Sequence, residues 1–359
     1  MKTLWLRKED KAGEWRVVLT PEGVSALVES GVHVVVEASS HRVFSDQDYQ
    51  NAGAVLTDLH WSQAPADAII LGLKELADSD SPIAHTHIYF SHTFKGQSGA
   101  AAVLQRYARG GGNLFDLEFL QDDKGRRVAA FGYWAGFTGA ALGMLGLAHY
   151  QRSEKPYPAA QRYSSQQELV DAVRRALAGQ TVRVMVMGAL GRCGSGAADL
   201  LCQLGPLVET SLWDISEFNA VEKPIRAIIE HDVFINCVYL REPIRPMINQ
   251  ALLADNQRLR IISDVSCDPN NPNNPIAVYD ATTSLAVPFR QATGSEHLPV
   301  QVQAIDHLPT LLPREASQEF AAALLPHLLE FLTSASLPLV WRNARYRFVE
   351  ASLRYGLGS

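Results

Sequence analysis

Polar residues capable of proton transfer recur just past apolar, strand-like runs in the first third of the chain. The run "DAIILGLKE" delivers Lys74 and Glu75, and "HIYFSHTFKGQ" delivers His92 with Lys95 and Gln97 beyond it. "NLFDLEFL" holds Glu118, and Arg126 and Arg127 follow shortly after. Open α/β sheets bind ligands beyond the carboxyl ends of their strands, so polar groups at these positions carry unusual weight. A lysine partly withdrawn from water beside other cations loses its proton near neutrality and serves as a base. Histidine donates and accepts protons at the same pH without such help. Any one of these residues alone reads as a solvated strand end; their convergence on successive strands points to acid–base chemistry. His85, His87 and His92 also raise a metal site. Strand alternation sets the first two on one face and His92 on the other, so no metal is expected.

A second constellation lies further on. The strand-like run Val182 to Met187 ends in glycines at Gly188, Gly191, Gly194 and Gly196. A helical pattern follows at once, with Ala197, Leu200, Leu201 and Leu204 recurring at i, i+3, i+4 and i+7. Strand, glycine turn and helix together offer backbone N–H groups and the positive end of a helix to a pyrophosphate. The spacing G-x-x-G-x-x-G-x-G departs from the usual dinucleotide fingerprint. The next strand-like run, "TSLWD", ends in Asp214, where an acidic residue binds ribose hydroxyls. A carboxylate there repels a 2′-phosphate, which favours NAD over NADP. No triphosphate-binding G-x-x-x-x-G-K-[ST] occurs at this loop.

The elements that must position these residues read as α/β. "TLWLRKE" and "VHVVVE" are strands, separated by a helix that opens with Thr20 as N-cap and Pro21 as first residue. "DVFINCVYL" and "LRIISDVSC" are buried parallel-type strands of the glycine-loop unit. At 359 residues about two domains are expected. They are two Rossmann-like, doubly wound parallel-sheet domains with a cleft between them: residues 1–133 for substrate and catalysis, residues 134–316 for the dinucleotide. Residues 317–359, whose amphipathic pattern is broken by Pro326, return to the first domain. Val128 to His149 carries no charge and is long enough to cross a bilayer. Its repeated glycines suit close backbone packing, so a buried helix between domains is expected instead. The net charge of −6 argues against nucleic-acid binding. The four cysteines show no zinc spacing, and a charged "MKTLWLRKED" opening carries no signal peptide, which points to the cytoplasm.

The motifs carry a resemblance. "RVVLTPEGVSALVESG" is similar to the opening of the alanine dehydrogenase and transhydrogenase superfamily. "LGLKE", "FSHTFKGQ", "DLEFLQDDKGRRVAAFG", "GALGRCGSGA", "FINCVYL" and "IDHLPTLLPREAS" resemble the NAD-dependent, lysine-forming saccharopine dehydrogenase family, in order and over nearly the whole chain. The resemblance implies reversible oxidative cleavage of saccharopine to lysine and 2-oxoglutarate. It implies Lys74 as base for the secondary amine, His92 as acid–base group for imine hydrolysis, and Glu75 and Glu118 as the carboxylates that tune them. Arg16, Gln97, Arg127, Phe131, Ser266, Cys267 and Asp268 match substrate contacts. Arg126, Gly188, Gly191, Arg192, Asp214, Tyr239, Val265, Ile305, Asp306, His307 and Leu308 match the dinucleotide site. In the family, residues matching Cys193 and Cys237 can join as a disulfide, although free thiols are the expectation in a cytoplasm. Phe218, Gly96 and Cys267 depart from the family's usual threonine, aspartate and alanine. The partners implied are small molecules, with no membrane or nucleic acid, for a monomer or small homo-oligomer. Two other readings stand beside this one: a related opine-type or amino-acid dehydrogenase, and a non-catalytic NAD-binding module.

Overall fold

Short runs of β-branched and aliphatic residues, each followed by a helical pattern, leave the chain little choice but parallel strands joined by crossovers. The structure, a computed structural model, describes all residues except 1, 239, 241, 243–245, 270, 295–297, 358 and 359. The chain divides into two compact units, Met1–Ala130 with Pro313–Ser359, and Phe131–Leu312.

The first unit contains strands β1 (Thr3–Leu6), β2 (His33–Glu37), β3 (Val55–Thr57), β4 (Ile69–Leu71), β5 (Thr86–Tyr89) and β6 (Asn113–Asp116). They form one parallel sheet in the order β3-β2-β1-β4-β5-β6. Strand order reverses between β1 and β4, the switch point at which such sheets open a crevice. Thr20 caps the helix Pro21–Glu29 by accepting the Gly23 N–H, and Pro21 occupies its first turn, where no N–H is missed. The helix Pro313–Thr333 continues unbroken through Pro326, contrary to the break expected there. Proline removes one backbone hydrogen bond, but Phe320, Leu324, Leu328 and Phe331 are buried on both sides of it and hold the two halves together. A second helix, Leu339–Arg354, follows, and its Trp341 stacks on Phe331 at 4.4 Å and meets Phe115 edge-on at 5.3 Å.

The second unit contains β7 (Val182–Met187), β8 (Val208–Trp213), β9 (Val233–Asn236), β10 (Ile261–Asp264), β11 (Arg290–Gln291) and β12 (Gln301–Gln303). Their order is β11-β12-β10-β9-β7-β8, parallel except for β11, which runs antiparallel to β12. The glycine-rich stretch forms the helix Gly132–Tyr150, which belongs to this unit. It packs on the helices Arg192–Leu204 and Gln166–Leu177 and on β9 and β10. Among the described residues no helix is long and apolar enough to cross a membrane.

Glycine makes that helix pair possible. A Cβ on Gly196 would run into the carbonyl oxygen of Tyr133, so the two backbones touch where the helices cross. At Gly143 a Cβ would find only ordinary contact, 3.4 Å from Ser263 Cβ. Gly196→Ala should therefore destabilise the second unit by about 1–3 kcal/mol through overpacking. Gly143→Ala should be neutral or stabilising by about 0.5–1 kcal/mol, because alanine favours the helix. Urea denaturation of the two variants checks the contrast, which fails if both shift the midpoint alike.

Candidate active site

At the switch point of the first unit, the chain leaving β1 reaches across to the chain leaving β4. Glu9 accepts hydrogen bonds from the backbone N–H groups of Leu73 at 2.6 Å and Lys74 at 2.9 Å. The buried Arg7 guanidinium donates through Nη2 to the Lys74 carbonyl and through Nη1 to Glu9 at 3.4 Å. Lys74 thus has its peptide gripped from both sides while its side chain remains half-buried. Burial and the nearby Arg16 charge push its ammonium below the ordinary lysine value, with Glu14 and Glu75 opposing. Arg16 is itself buried and forms a fork with Glu14, Nε to Oε1 at 2.8 Å and Nη2 to Oε2 at 2.7 Å. Burial alone would raise the Glu14 carboxyl, but the Arg16 charge and its hydrogen bonds outweigh it and hold the group below the usual range.

His92 sits past β5, not within it, with φ of +53°. A non-glycine residue in this left-handed region is uncommon, and such conformations cluster at functional sites. Its Nε2 lies 3.4 Å from Glu75 Oε1 and its Nδ1 lies 3.9 Å from Glu118 Oε2. Phe90 stacks on the imidazole with ring centres 6.3 Å apart. Glu118 is fixed in turn: its N–H donates to Asp116 Oδ1 at 2.9 Å, and its carboxylate receives Lys95 Nζ at 2.7 Å, with Arg127 Nη1 at 4.0 Å. Ser91 Oγ donates to Asp116 at 2.7 Å, and burial raises that carboxyl. Gln97 accepts the Lys95 N–H at 2.9 Å. Arg126 is held differently, pairing with Asp122 at 2.9 Å. Beside His92 opens a cavity of about 280 Å³ whose walls include Glu75, Tyr89, Gln97 and Arg106. The structure therefore brings Lys74, Glu75, His92, Glu118, Lys95 and Arg127 into one neighbourhood. Sequence reasoning missed Arg7, Glu9 and Glu14, although the charge-rich "LRKEDKAGEWR" after β1 was a signal for them.

In the second unit Gly188 has φ of +86° and donates its N–H to the Trp213 carbonyl at 2.8 Å, turning the chain sharply off β7. Gly191 caps the helix Arg192–Leu204 with no side-chain hydrogen bond, and a Cβ on Gly194 would strike the Gly188 carbonyl. Asp214 stands at the end of β8, its Oδ2 accepting the Leu190 N–H at 3.1 Å and its Oδ1 the Ile215 N–H at 2.9 Å. Between these elements lies a mainly apolar pocket of about 510 Å³, lined by Met187, Gly188, Asp214, Phe218, Val238 and Met247 among others. An apolar slot, a carboxylate at its edge and a helix start without a capping side chain suit a nucleoside, its ribose and its phosphates respectively. Ser266, Cys267 and Asp268 form the turn after β10, with Val265 buried before them. Ile305 and Leu308 are core residues flanking Asp306 and His307, whose side chains touch each other. Phe131 opens the helix Gly132–Tyr150 as its N-cap. Cys202, Cys237 and Cys267 are free thiols, Cys193 lies beside Cys237, and burial raises the Cys237 thiol above its usual value. Tyr239 lies outside the described residues.

Comparison with known proteins agrees with this architecture. Residues 5–138 match the family model described as alanine dehydrogenase/PNT, N-terminal domain. A solved L-alanine dehydrogenase superposes with a TM-score of 0.67 at 18% identity, covering 99% of this chain and 94% of that one. The fold is thus the two-sheet α/β arrangement of that dehydrogenase class. A saccharopine dehydrogenase (NAD+, L-lysine-forming) of Schizosaccharomyces pombe is 44% identical over 95% of this chain and 96% of its own length. Its counterpart in Yarrowia lipolytica is 43% identical over 98% of both chains. The chain belongs to the family of NAD-dependent, L-lysine-forming saccharopine dehydrogenases.

One histidine of the first unit lies outside this chemistry. His87 is fully buried on β5, packed edge-on against Trp61 at 4.7 Å, and among the described residues neither ring nitrogen has a well-formed hydrogen-bond partner. Burial, then the Arg7 charge, push its pKa down to about 3. Because the folded value is depressed below the unfolded one, its neutral form supports folding fully above about pH 6.5. That contribution, a few kcal/mol at most, is lost as pH falls toward 3. His87→Phe should flatten the loss of stability between pH 6.5 and 4 in denaturation curves; an unchanged slope would remove His87 as a cause.

Proposed function

We propose that the chain catalyses the NAD-dependent, reversible cleavage of saccharopine to L-lysine and 2-oxoglutarate, with Lys74 and His92 moving the protons. The observation that carries the residue roles is the pair of acid–base groups joined through Glu75, which follows Lys74 in the chain and lies 3.4 Å from His92. Lys74, its proton loosened by burial and Arg16, takes the proton from the secondary amine, because a protonated amine cannot release hydride. NAD+, when bound, supplies the hydride acceptor, and Gly188, Gly191, Arg192 and Asp214 would hold it in the second unit. His92 then accepts a proton from water as it adds to the imine carbon and returns one to the leaving amine as the adduct collapses. Arg16 and Arg127 suit a substrate with three carboxylates, and Gln97 of the same unit would add a further contact. Catalysis falls to the first unit and dinucleotide binding to the second. A cytoplasmic location and a monomer or small homo-oligomer are proposed with it.

NADH oxidation with lysine plus 2-oxoglutarate tests the substrate. Ornithine, diaminobutyrate and simple polyamines should be turned over at least tenfold less efficiently; equal use of any of them would favour a broader opine-type dehydrogenase. Lys74→Met should lower kcat by about 10²–10⁴-fold while leaving NADH affinity within about twofold, a loss typical of a missing acid–base group. Full activity in that variant would exclude Lys74 from the chemistry.

Asp214→Ser should narrow the preference for NADH over NADPH by about tenfold or more, since a carboxylate that repels the 2′-phosphate is gone. An unchanged ratio of kcat/KM values would place cofactor selection elsewhere.

A further inference from the structure

One buried carboxyl of the second unit is not used by the reaction just described. Asp264 closes β10 with 1% of its surface exposed. Its Oδ2 accepts the Tyr279 hydroxyl at 2.7 Å, its Oδ1 accepts Asn236 Nδ2 at 2.9 Å, and the Ser266 backbone N–H faces it. Asn236 ends the neighbouring strand β9, and its own Oδ1 accepts the Val238 N–H at 3.2 Å. Val238 is a wall of the apolar pocket, and Ser266 opens the turn that runs through Cys267 to Asp268. One carboxylate therefore ties together two strand ends, the pocket wall and that turn.

We infer that Asp264 is a positioning residue of the dinucleotide site, which it holds in its binding geometry only while ionised. The inference rests on the second unit binding NAD. All three groups that address Asp264 are donors, so they match a carboxylate and not a carboxylic acid. A protonated Asp264 either points a hydrogen at an N–H donor or forces the Tyr279 hydroxyl to turn from donor to acceptor, and the bonds that remain lose the strength that the charge gave them. Burial pushes its pKa up to about 6, against the pull of Tyr279, Asn236 and Ser266, so the change of state falls near neutrality. The titratable groups facing it are Tyr279, Cys237 and Cys267, with Cys193 beside Cys237 and Asp306 and Asp268 beside Cys267. Tyr279, Cys237 and Cys267 are all raised by burial and stay neutral between pH 5 and 8. Among Asp264 and those three facing groups, Asp264 is the one that changes charge in that range.

The test is the dissociation constant of NADH, read by fluorescence from pH 5 to 8, with neither amine nor oxoacid present. The full-length protein should bind NADH about tenfold more weakly below pH 6 than at pH 7.5, the size expected when a charge-assisted bond becomes a neutral one. Tyr279→Phe removes a donor that favours the charged form, so its weakening should begin at a higher pH than in the parent. Asp264→Asn mimics the protonated acid and should bind weakly with no pH dependence over this range. A melting curve at pH 7 shows whether each variant is folded, and Tyr279→Phe decides the matter should Asp264→Asn fail to fold. Superimposable profiles for Tyr279→Phe and the parent would overturn the role of Asp264, as would a flat parental profile. A parent that fails to bind NADH at any pH would end the dinucleotide reading itself, a result distinct from either.

Discussion

Withdrawing an ammonium group from water costs free energy, and the first unit is arranged around that cost at Lys74. Its backbone is fixed by Glu9 and Arg7 through bonds to the Leu73 and Lys74 N–H groups and the Lys74 carbonyl, which sets where the side chain departs. Its charge is pressed by Arg16 and relieved by Glu14 and Glu75. Arg16 and Glu14 form a buried fork, a pair that contributes little net stability once desolvation is counted. Their arrangement makes better sense as an electrostatic setting for the neighbouring lysine. The balance leaves the Lys74 ammonium below the ordinary lysine value, a setting that suits the base role proposed for it.

The strand frame was largely legible because parallel strands buried on both faces must be apolar throughout. "VHVVVE", "DAIILGLKE" and "VRVMVM" announce β2, β4 and β7 by composition alone. The short strands β3, β11 and β12 were not legible, being two or three residues long and partly polar. The passage through Pro326 was hidden for another reason: local propensity says break, and only tertiary burial on both sides says continue. The glycine-rich helix was seen, but its partners were not, since what a glycine face packs on depends on which other backbone comes near.

Site residues followed the same division. Lys74, Glu75, His92 and Glu118 stand at strand ends, where the sheet itself gathers whatever side chains the sequence supplies. Arg7, Glu9 and Glu14 act through the loop after β1, and a loop's path leaves no periodic trace in the sequence. The positive φ at His92 was equally invisible, because histidine carries no sequence signal for the left-handed region as glycine does. Asp264 escaped notice because a carboxylate ending an apolar strand looks like any other strand end until its three donors are known.

The likeness to L-alanine dehydrogenase shows how little of the chemistry resides in the fold. At 18% identity the two chains share both sheets, and a shared fold fixes only where ligands can bind, not which ones. What distinguishes substrates must then lie in the strand-end and loop residues. A substrate with several carboxylates needs more fixed cations than a small amino acid does. In this chain Arg16 and Lys95 are already engaged with carboxylates, Glu14 and Glu118, and Arg127 approaches Glu118 as well. On the substrate reading proposed above, an incoming carboxylate competes with a protein carboxylate for the same cation. The protein thereby keeps its arginines and lysine oriented before substrate arrives, and selectivity becomes a difference between two ion pairs, not the gain of one.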